Sequence, residues 1–312
     1  MTTYKGLRGL TIQTVAGDPS NLSAGQIWYN SSARKIKVFK AGAGAWSTAT
    51  ALNTGRTVQA TAGIQTAGLC SGGNPAPSRA LSEEWNGSAW AEGDNLQTAR
   101  SSFRGTGTQT AALAVGGAPP ANGTGATEEY NGTSWSEQSD RNAGYNLGLA
   151  GTQTAGLAMG GYDGGGMNEV DEYDGSSWTA GGNYPASVYN ITGIGTQTAA
   201  LGLGGTPGLG AKAKEYNGST WSEGGDLPGD WAWSGGAGTQ TAAISAFDGS
   251  CATYNGTAWS EVGDLNTPRR EGDGSNAGTS AATSYYAGGD PGPSACEEWD
   301  DPSLVTATFT SS

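Results

Sequence analysis

The chain has 312 residues, among them 55 glycines, 12 prolines, 11 tryptophans, 12 tyrosines and 4 phenylalanines. Disordered chains are poor in aromatics, so the composition excludes disorder and assigns the glycines to turns and close packing. A net charge of −13, with only 15 Lys and Arg, excludes the basic face that nucleic acid requires and disfavours an anionic membrane surface. The chain contains no histidine, which removes the commonest general base and the commonest metal ligand.

The first residues, Met1 to Gly9, carry no apolar signal core. No stretch approaches the roughly 18 apolar residues of a membrane-crossing helix. Neither membrane insertion nor secretion is therefore expected. Residues 10–50 contain four stretches of strand character: Leu10–Val15, Gly25–Ser31, Lys35–Lys40 and Ala45–Thr50.

A repeat dominates from there on. The block Gly107-Thr-Gln-Thr-Ala-Ala-Leu-Ala-Val-Gly-Gly117 recurs at Gly151–Gly161 and Gly195–Gly205, with a variant at Gly63–Gly73. Gly238-Thr-Gln-Thr-Ala-Ala-Ile opens another block that loses its Gly-Gly, and a last one begins Gly278-Thr-Ser-Ala-Ala. Each is followed by an acidic-aromatic strand and a turn, as in Glu129-Tyr-Asn-Gly-Thr-Ser-Trp135. The closing tryptophans, Trp46, Trp90, Trp135, Trp178, Trp221 and Trp259, are spaced by 44, 45, 43, 43 and 38 residues. A four-stranded blade with its connections needs about 40 residues, so the period predicts a propeller.

The second repeat illustrates the expected strands: Ser102–Thr108, Ala111–Val115, Thr127–Tyr130 and one starting at Trp135. The first strand is rich in small residues because the inner strands of wedge-shaped blades converge. The Asn-Gly pairs at Asn86, Asn131, Asn217 and Asn255, and Asp174-Gly175, are expected turns where φ > 0 is needed. Leu304–Phe309 alternates like a fourth strand of the last repeat. The closing tryptophans and Trp85 are expected core residues. Cys70, Cys251 and Cys296 show no CxxC or metal-ligand spacing and read as small strand residues.

Gly-Gly ending an apolar strand, then Glu-Tyr-Asn/Asp-Gly, then Trp, resembles the kelch repeat over about residues 46–300. Leu265-Asn-Thr-Pro-Arg269 resembles the usual lead into a kelch first strand. The resemblance implies an all-β propeller of four-stranded blades. Seven blades are expected if residues 1–50 form a divergent N-terminal blade. That reading is supported because Trp46-Ser leads into Leu52-Asn-Thr, as Trp259-Ser leads into Leu265-Asn-Thr. The alternative is six kelch-like repeats in residues 51–312 with residues 1–50 as a docking segment. The Gln-Thr-Ala block, and the segment Asp18–Asn30, are also similar to tail-associated proteins of marine phages.

Catalytic chemistry finds few candidates. A copper site of the galactose oxidase type needs histidines. The glycine-rich stretches lack the Lys-Ser/Thr of a phosphate-binding loop. Asp163, Glu169, Asp171 and Glu172 cluster, but they read as a solvated face or a local turn. The spacing in Asp163–Glu169 matches no defined calcium loop. No catalytic residue, metal ligand or cofactor is expected, and the chain reads as a non-enzyme.

Comparison of the repeats separates two faces. The turn between strands one and two is nearly always Gly-Thr-Gln-Thr, and that between three and four is Asn/Asp-Gly. The opposite loops vary: Asn74–Ser82, Ala118–Thr127, Tyr162–Asp171 and Thr206–Lys214. Six aromatics there, Tyr145, Tyr162, Tyr184, Tyr189, Trp231 and Trp233, are candidate ligand-binding residues, since aromatic faces stack on sugar rings. Packing between blades is the competing reading; Tyr145 and Tyr189 both lie six residues before the recurring glycine, a repeated slot. The resemblance implies a phage virion protein, a tail or surface appendage that binds a host-surface glycan or protein. The expected partners include other virion proteins, contacted through residues 1–45. A capsid decoration protein and a non-viral kelch-type interaction scaffold are the alternatives.

Overall fold

The second repeat folds into strands Arg104–Thr108, Ala111–Val115, Thr127–Tyr130 and Trp135–Glu137, antiparallel neighbours in that order. The computed structural model describes residues 13–16, 27–32, 35–40, 44–75, 80–118, 123–142, 144–271, 273–274, 285–291, 294–300 and 305–308. Two compact units are present: Ala45–Asp300, and residues 1–44 together with 301–312.

The larger unit is a β-propeller. Five blades take four consecutive strands each, with inner strands Ala60–Ile64, Arg104–Thr108, Gly148–Thr152, Thr192–Thr196 and Gly235–Thr239. A further four-stranded sheet joins Asp273–Gly274, Tyr285–Ala287 and Cys296–Asp300 to Ala45–Ala49. Its inner strand packs between those of the fifth and first blades and completes the ring. A closed ring of this kind protects inner sheet edges.

Small residues permit this convergence. A Cβ placed on Gly193 would lie 2.7 Å from the backbone of Leu149 in the neighbouring blade. Gly151, at the end of an inner strand, has φ of 104°, and a Cβ there would meet the Ala155 carbonyl oxygen at 2.1 Å. Only glycine fits that turn.

Each closing tryptophan packs on the aromatic that ends the third strand of its own sheet. The pairs are Trp85–Trp90, Tyr130–Trp135, Tyr173–Trp178, Tyr216–Trp221 and Tyr254–Trp259, with centroids 4.8–5.4 Å apart. The composite sheet repeats the motif with Trp299 and Trp46 at 5.4 Å, although they are distant in sequence.

This corrects the seven-blade expectation. Ala45–Ala49 is not the fourth strand of an N-terminal blade but pairs with Cys296–Asp300, Trp46 opposite Trp299. Val305–Thr308 is a strand, but it pairs with Lys35–Lys40 in the smaller unit. There, Gln13–Val15, Ile27–Asn30, Lys35–Lys40 and Val305–Thr308 form a sheet in that order. The alternative of six repeats within 51–312 also fails as drawn, because the last sheet borrows its outer strand from before residue 50. A shared-strand clasp, which a seven-bladed ring would have lacked, is present. The block Gly278–Ala282 and residues 18–26 of the phage-like segment lie outside the described residues.

The fifth blade explains the short spacing of 38. Phe247 pairs with Ser250 across Asp248-Gly249, with φ of 50° and 98°. This two-residue hairpin replaces the loop that Gly-Gly opens elsewhere, so the varied face carries only a short turn at this blade.

Candidate functional site

The uniform face is structural. The glutamine of Gly-Thr-Gln-Thr reaches back to two backbone carbonyls of the preceding blade. Gln109 donates to Gly68 and Trp85, Gln153 to Ala112 and Tyr130, Gln197 to Gly156 and Tyr173, and Gln240 to Ala200 and Tyr216, at 2.7–3.2 Å. A second link runs from a third-strand tyrosine to the preceding blade's glutamate: Tyr173 to Glu129 at 3.0 Å, Tyr216 to Glu172 at 2.7 Å and Tyr254 to Glu215 at 2.6 Å. In the Asn-Gly loops the positive φ falls on the glycine, while Asn131 Oδ1 accepts two backbone N–H groups, from Thr133 and Ser134. At Asp174 the same bonds from Ser177 and Ser176 pull the carboxyl down to about 2.

Three of the four acidic-cluster residues are absorbed in the same way, while Asp163 is exposed. Asp171 accepts from buried Arg141 at 2.5 Å, Glu172 holds Tyr216, and Glu169 accepts the Asn168 N–H. Among the described residues no three or more Asp, Glu, Cys or His side chains gather as a metal would require.

The other end of the inner strands is built differently. Just before each inner strand, one non-glycine residue adopts a left-handed backbone: Val58, Ser102, Asn146, Asn190, Trp233 and Glu271, with φ between 49° and 67°. Asparagine tolerates this region, whereas Val, Trp and Glu do so at a cost, about 1–3 kcal/mol each. The payoff is a series of five hydrogen bonds from sheet to sheet. Ser102 N–H donates to the Val58 carbonyl, Asn146 to Ser102, Asn190 to Asn146, Trp233 to Asn190, and Val58 to Glu271, at 2.7–3.1 Å.

These six residues line a pit on the axis, together with Gln59, Phe103 and Arg104. The space within the pit, about 10 Å³, is water-sized. Arg104 Nη1 donates to Asp273 Oδ1 at 3.1 Å, and Thr61 N–H donates to Oδ2 at 3.1 Å. Burial raises the Asp273 carboxyl to about 6, against the opposing pull of Arg104. Two buried amide oxygens of the pit, Gln59 Oε1 and Asn190 Oδ1, have no hydrogen-bond partner. Unmet buried acceptors are rare and each calls for an explanation.

Solved structures resemble the fold of this chain. One described as "Structure of YjhT" superposes with a TM-score of 0.65 and 11% identity, covering 84% of this chain and 99% of that chain. No family model matches the chain, and no curated protein does. The likeness establishes a β-propeller, a fold that hosts enzymes and binding proteins alike.

The six sequence-predicted aromatics divide. Tyr145, Tyr162 and Tyr189 come together on the varied face, half-buried, with Tyr162 edge-on to both others at 5.4 and 5.1 Å. They adjoin the pit through chain neighbours, since Tyr145 precedes Asn146 and Tyr189 precedes Asn190. Burial, and after it the electrostatic effect of the Tyr162 and Tyr189 phenols, raises the Tyr145 phenol. Trp233 lines the pit itself. Tyr184 and Trp231 are corrected to core. Tyr184 is 1% exposed, packs against Trp221 at 4.8 Å and donates to Gly202 O. Trp231 is 4% exposed among Ile194, Leu203 and Leu227. Both fill the space between blades, the competing fate of any aromatic on a wedge.

Sequence reasoning missed Val58, Ser102, Asn146, Asn190, Glu271, Gln59 and Arg104. A left-handed residue that is not glycine leaves no compositional mark. The available signal was register: one position before every small-residue strand carries a different side chain in nearly every repeat.

Proposed function

We propose that this chain is a kelch-like binding propeller, not an enzyme, whose varied face recognises a receptor on a host surface. The observation that carries the reading is the ring of left-handed residues. One backbone slot, repeated in every sheet of the propeller, holds Val, Ser, Asn, Asn, Trp and Glu. Elsewhere the repeat keeps its side chains because they bond blade to blade. A slot with constant backbone and changing chemistry is how a repeat protein writes a recognition surface. The missing histidines and the structural use of the acidic cluster support a binding role over catalysis.

The resemblance of the Gln-Thr-Ala block and of Asp18–Asn30 to marine phage proteins supports a virion appendage, on the tail or surface, as the setting. The smaller unit, which contains the chain's first and last strands, would attach it to other virion proteins. Mass spectrometry of purified particles tests the setting: the chain is expected among the structural proteins, and its absence from particles would reject it. Binding of the purified chain to bacteria of the host range tests the role. Loss on changing Tyr162 and Trp233 is expected, and unchanged binding would overturn it.

A further inference from the structure

Resting on that reading, we infer that the tyrosine row of the varied face docks a basic, extended segment of a partner protein, whose backbone passes over the turn at Gly165. The row is fixed before anything binds. Tyr145 and Tyr162 exchange backbone hydrogen bonds at 3.2 and 2.9 Å, and Tyr189 exchanges them with Thr206 at 2.9 and 2.8 Å. The three half-buried rings are therefore preorganised, and little ordering is left for a partner to impose. Beyond Tyr162 the chain turns sharply. Asp163 N–H donates to Gly165 O at 3.2 Å, and Gly166 returns to pair with Tyr162. The tip of that turn carries a glycine that the fold does not use. Gly165 lacks the left-handed backbone of its neighbour Gly164, and a Cβ built on it meets nothing within 4 Å among the described residues. Glycine loses more backbone freedom on folding than any other residue, so an unneeded one costs stability. A partner backbone in close contact with the tip gives this glycine a use.

Charge selects the partner. Each cationic side chain in the loops around the row is already ion-paired: Arg141 with Asp171, Lys212 with Asp226 and Lys214 with Glu223. Asp163 and Glu169, exposed on the loop that carries Tyr162, have no ion pair among the described residues. The free charge beside the row is therefore negative. Lysine and arginine side chains answer both features, the carboxylates by charge complementarity and the tyrosine rings by cation–π contact. A neutral saccharide makes no use of the carboxylates, and an acidic one is repelled by them. A polypeptide brings cationic side chains and a closely approaching backbone together.

The probes are three end-blocked hexapeptides, alternating Gly with Arg, Gly with Glu, and Gly with Ser. NMR titration of the full chain, labelled with nitrogen-15, reads binding and maps it. The arginine peptide is expected to bind, to shift the Gly164 and Gly165 amides, and to weaken as salt rises; the other two are expected not to bind. Gly165→Val adds bulk where the fold has room, Tyr162→Ala removes the central ring, and Asp163→Asn removes a charge. Each is expected to weaken the arginine peptide about fivefold or more. Glu261→Gln, which removes an exposed carboxylate from the outer strand of the fifth blade, is expected to change nothing. Thermal unfolding verifies that each variant folds. Three outcomes would overturn the basic segment: the arginine peptide does not bind, the serine peptide binds as well, or Glu261→Gln weakens binding as much as the substitutions at the row. Attachment to host cells separates this from the receptor reading. Attachment that falls with Tyr162→Ala but ignores Gly165→Val and Asp163→Asn keeps the receptor and rejects the basic segment. Peptide binding by a chain that does not attach to host cells rejects the receptor and keeps the site.

Discussion

The two faces of the propeller solve opposite problems with the same repeat. On the uniform face, side chains are spent on neighbouring blades: each glutamine bridges two carbonyls, and each Asx loop closes on its own backbone. On the varied face, the backbone does that work through the five hydrogen bonds that run from Glu271 through Val58, Ser102, Asn146 and Asn190 to Trp233. Side chains there are released to differ. Invariance thus marks where side chains hold the ring, and variation marks where the main chain does.

Substitutions sharpen the contrast, beginning beneath the varied face. Glu128 is fully buried and accepts from Arg100 at 2.7 Å and from the Gln97 and Thr98 N–H groups. Glu128→Ala leaves Arg100 buried without its countercharge, and a loss of about 3–5 kcal/mol is expected in chemical denaturation. Glu83 with Arg56 and Glu297 with Arg269 repeat the arrangement, so Glu297→Ala should cost a similar amount.

Asp273→Asn probes the channel wall. Its carboxyl, raised from 3.8 to about 6 by burial, binds its proton more tightly folded than unfolded. Its contribution to stability is therefore greatest below about pH 4, falls as pH rises to about 6, and is level above. The stability difference between wild type and Asp273→Asn, followed from pH 4 to 7, should shrink over that window and then stay constant.

Gln153→Ala removes two interblade bonds, of 3.2 and 2.7 Å. A loss of about 1–3 kcal/mol is expected, with receptor binding unchanged. Asn131→Ala, on an exposed loop, should cost about 1 kcal/mol and also spare binding. If either abolished binding in a folded protein, the division between the faces would be wrong.

Much of this was legible in the chain. The blade strands, the two faces and most of the core tryptophans follow from a period of about 43 residues, because every blade repeats the same packing problem; Trp178 and Trp221, expected in the core, are half-buried at its edge. Ring closure was not read, although both halves of the clue were visible. The last repeat ends at Trp299 without a closing tryptophan, and Trp46 stands alone before the first. A linear reading makes these two irregularities; a ring makes them one pair, 5.4 Å apart. The site was legible only in part. Tyr145, Tyr162, Tyr189 and Trp233 lie where the loop variation suggested. Tyr184 and Trp231 share their local sequence character but turn into the wedge between blades, a choice made by packing. The left-handed ring was hidden because Val58 and Glu271 gain that conformation from neighbours in adjacent sheets, which no local propensity encodes.

The central claim is best tested by a paired-face experiment on the full chain. One variant combines Tyr162→Ala with Trp233→Asn, and the other combines Gln153→Ala with Asn131→Ala. Thermal unfolding and attachment to host cells are measured for both, the latter well below either unfolding transition. The first variant should lose attachment while its unfolding midpoint moves by only a few degrees, and the second should unfold at a lower temperature while still attaching. Attachment lost in the second and kept in the first would contradict the assignment of recognition to the varied face.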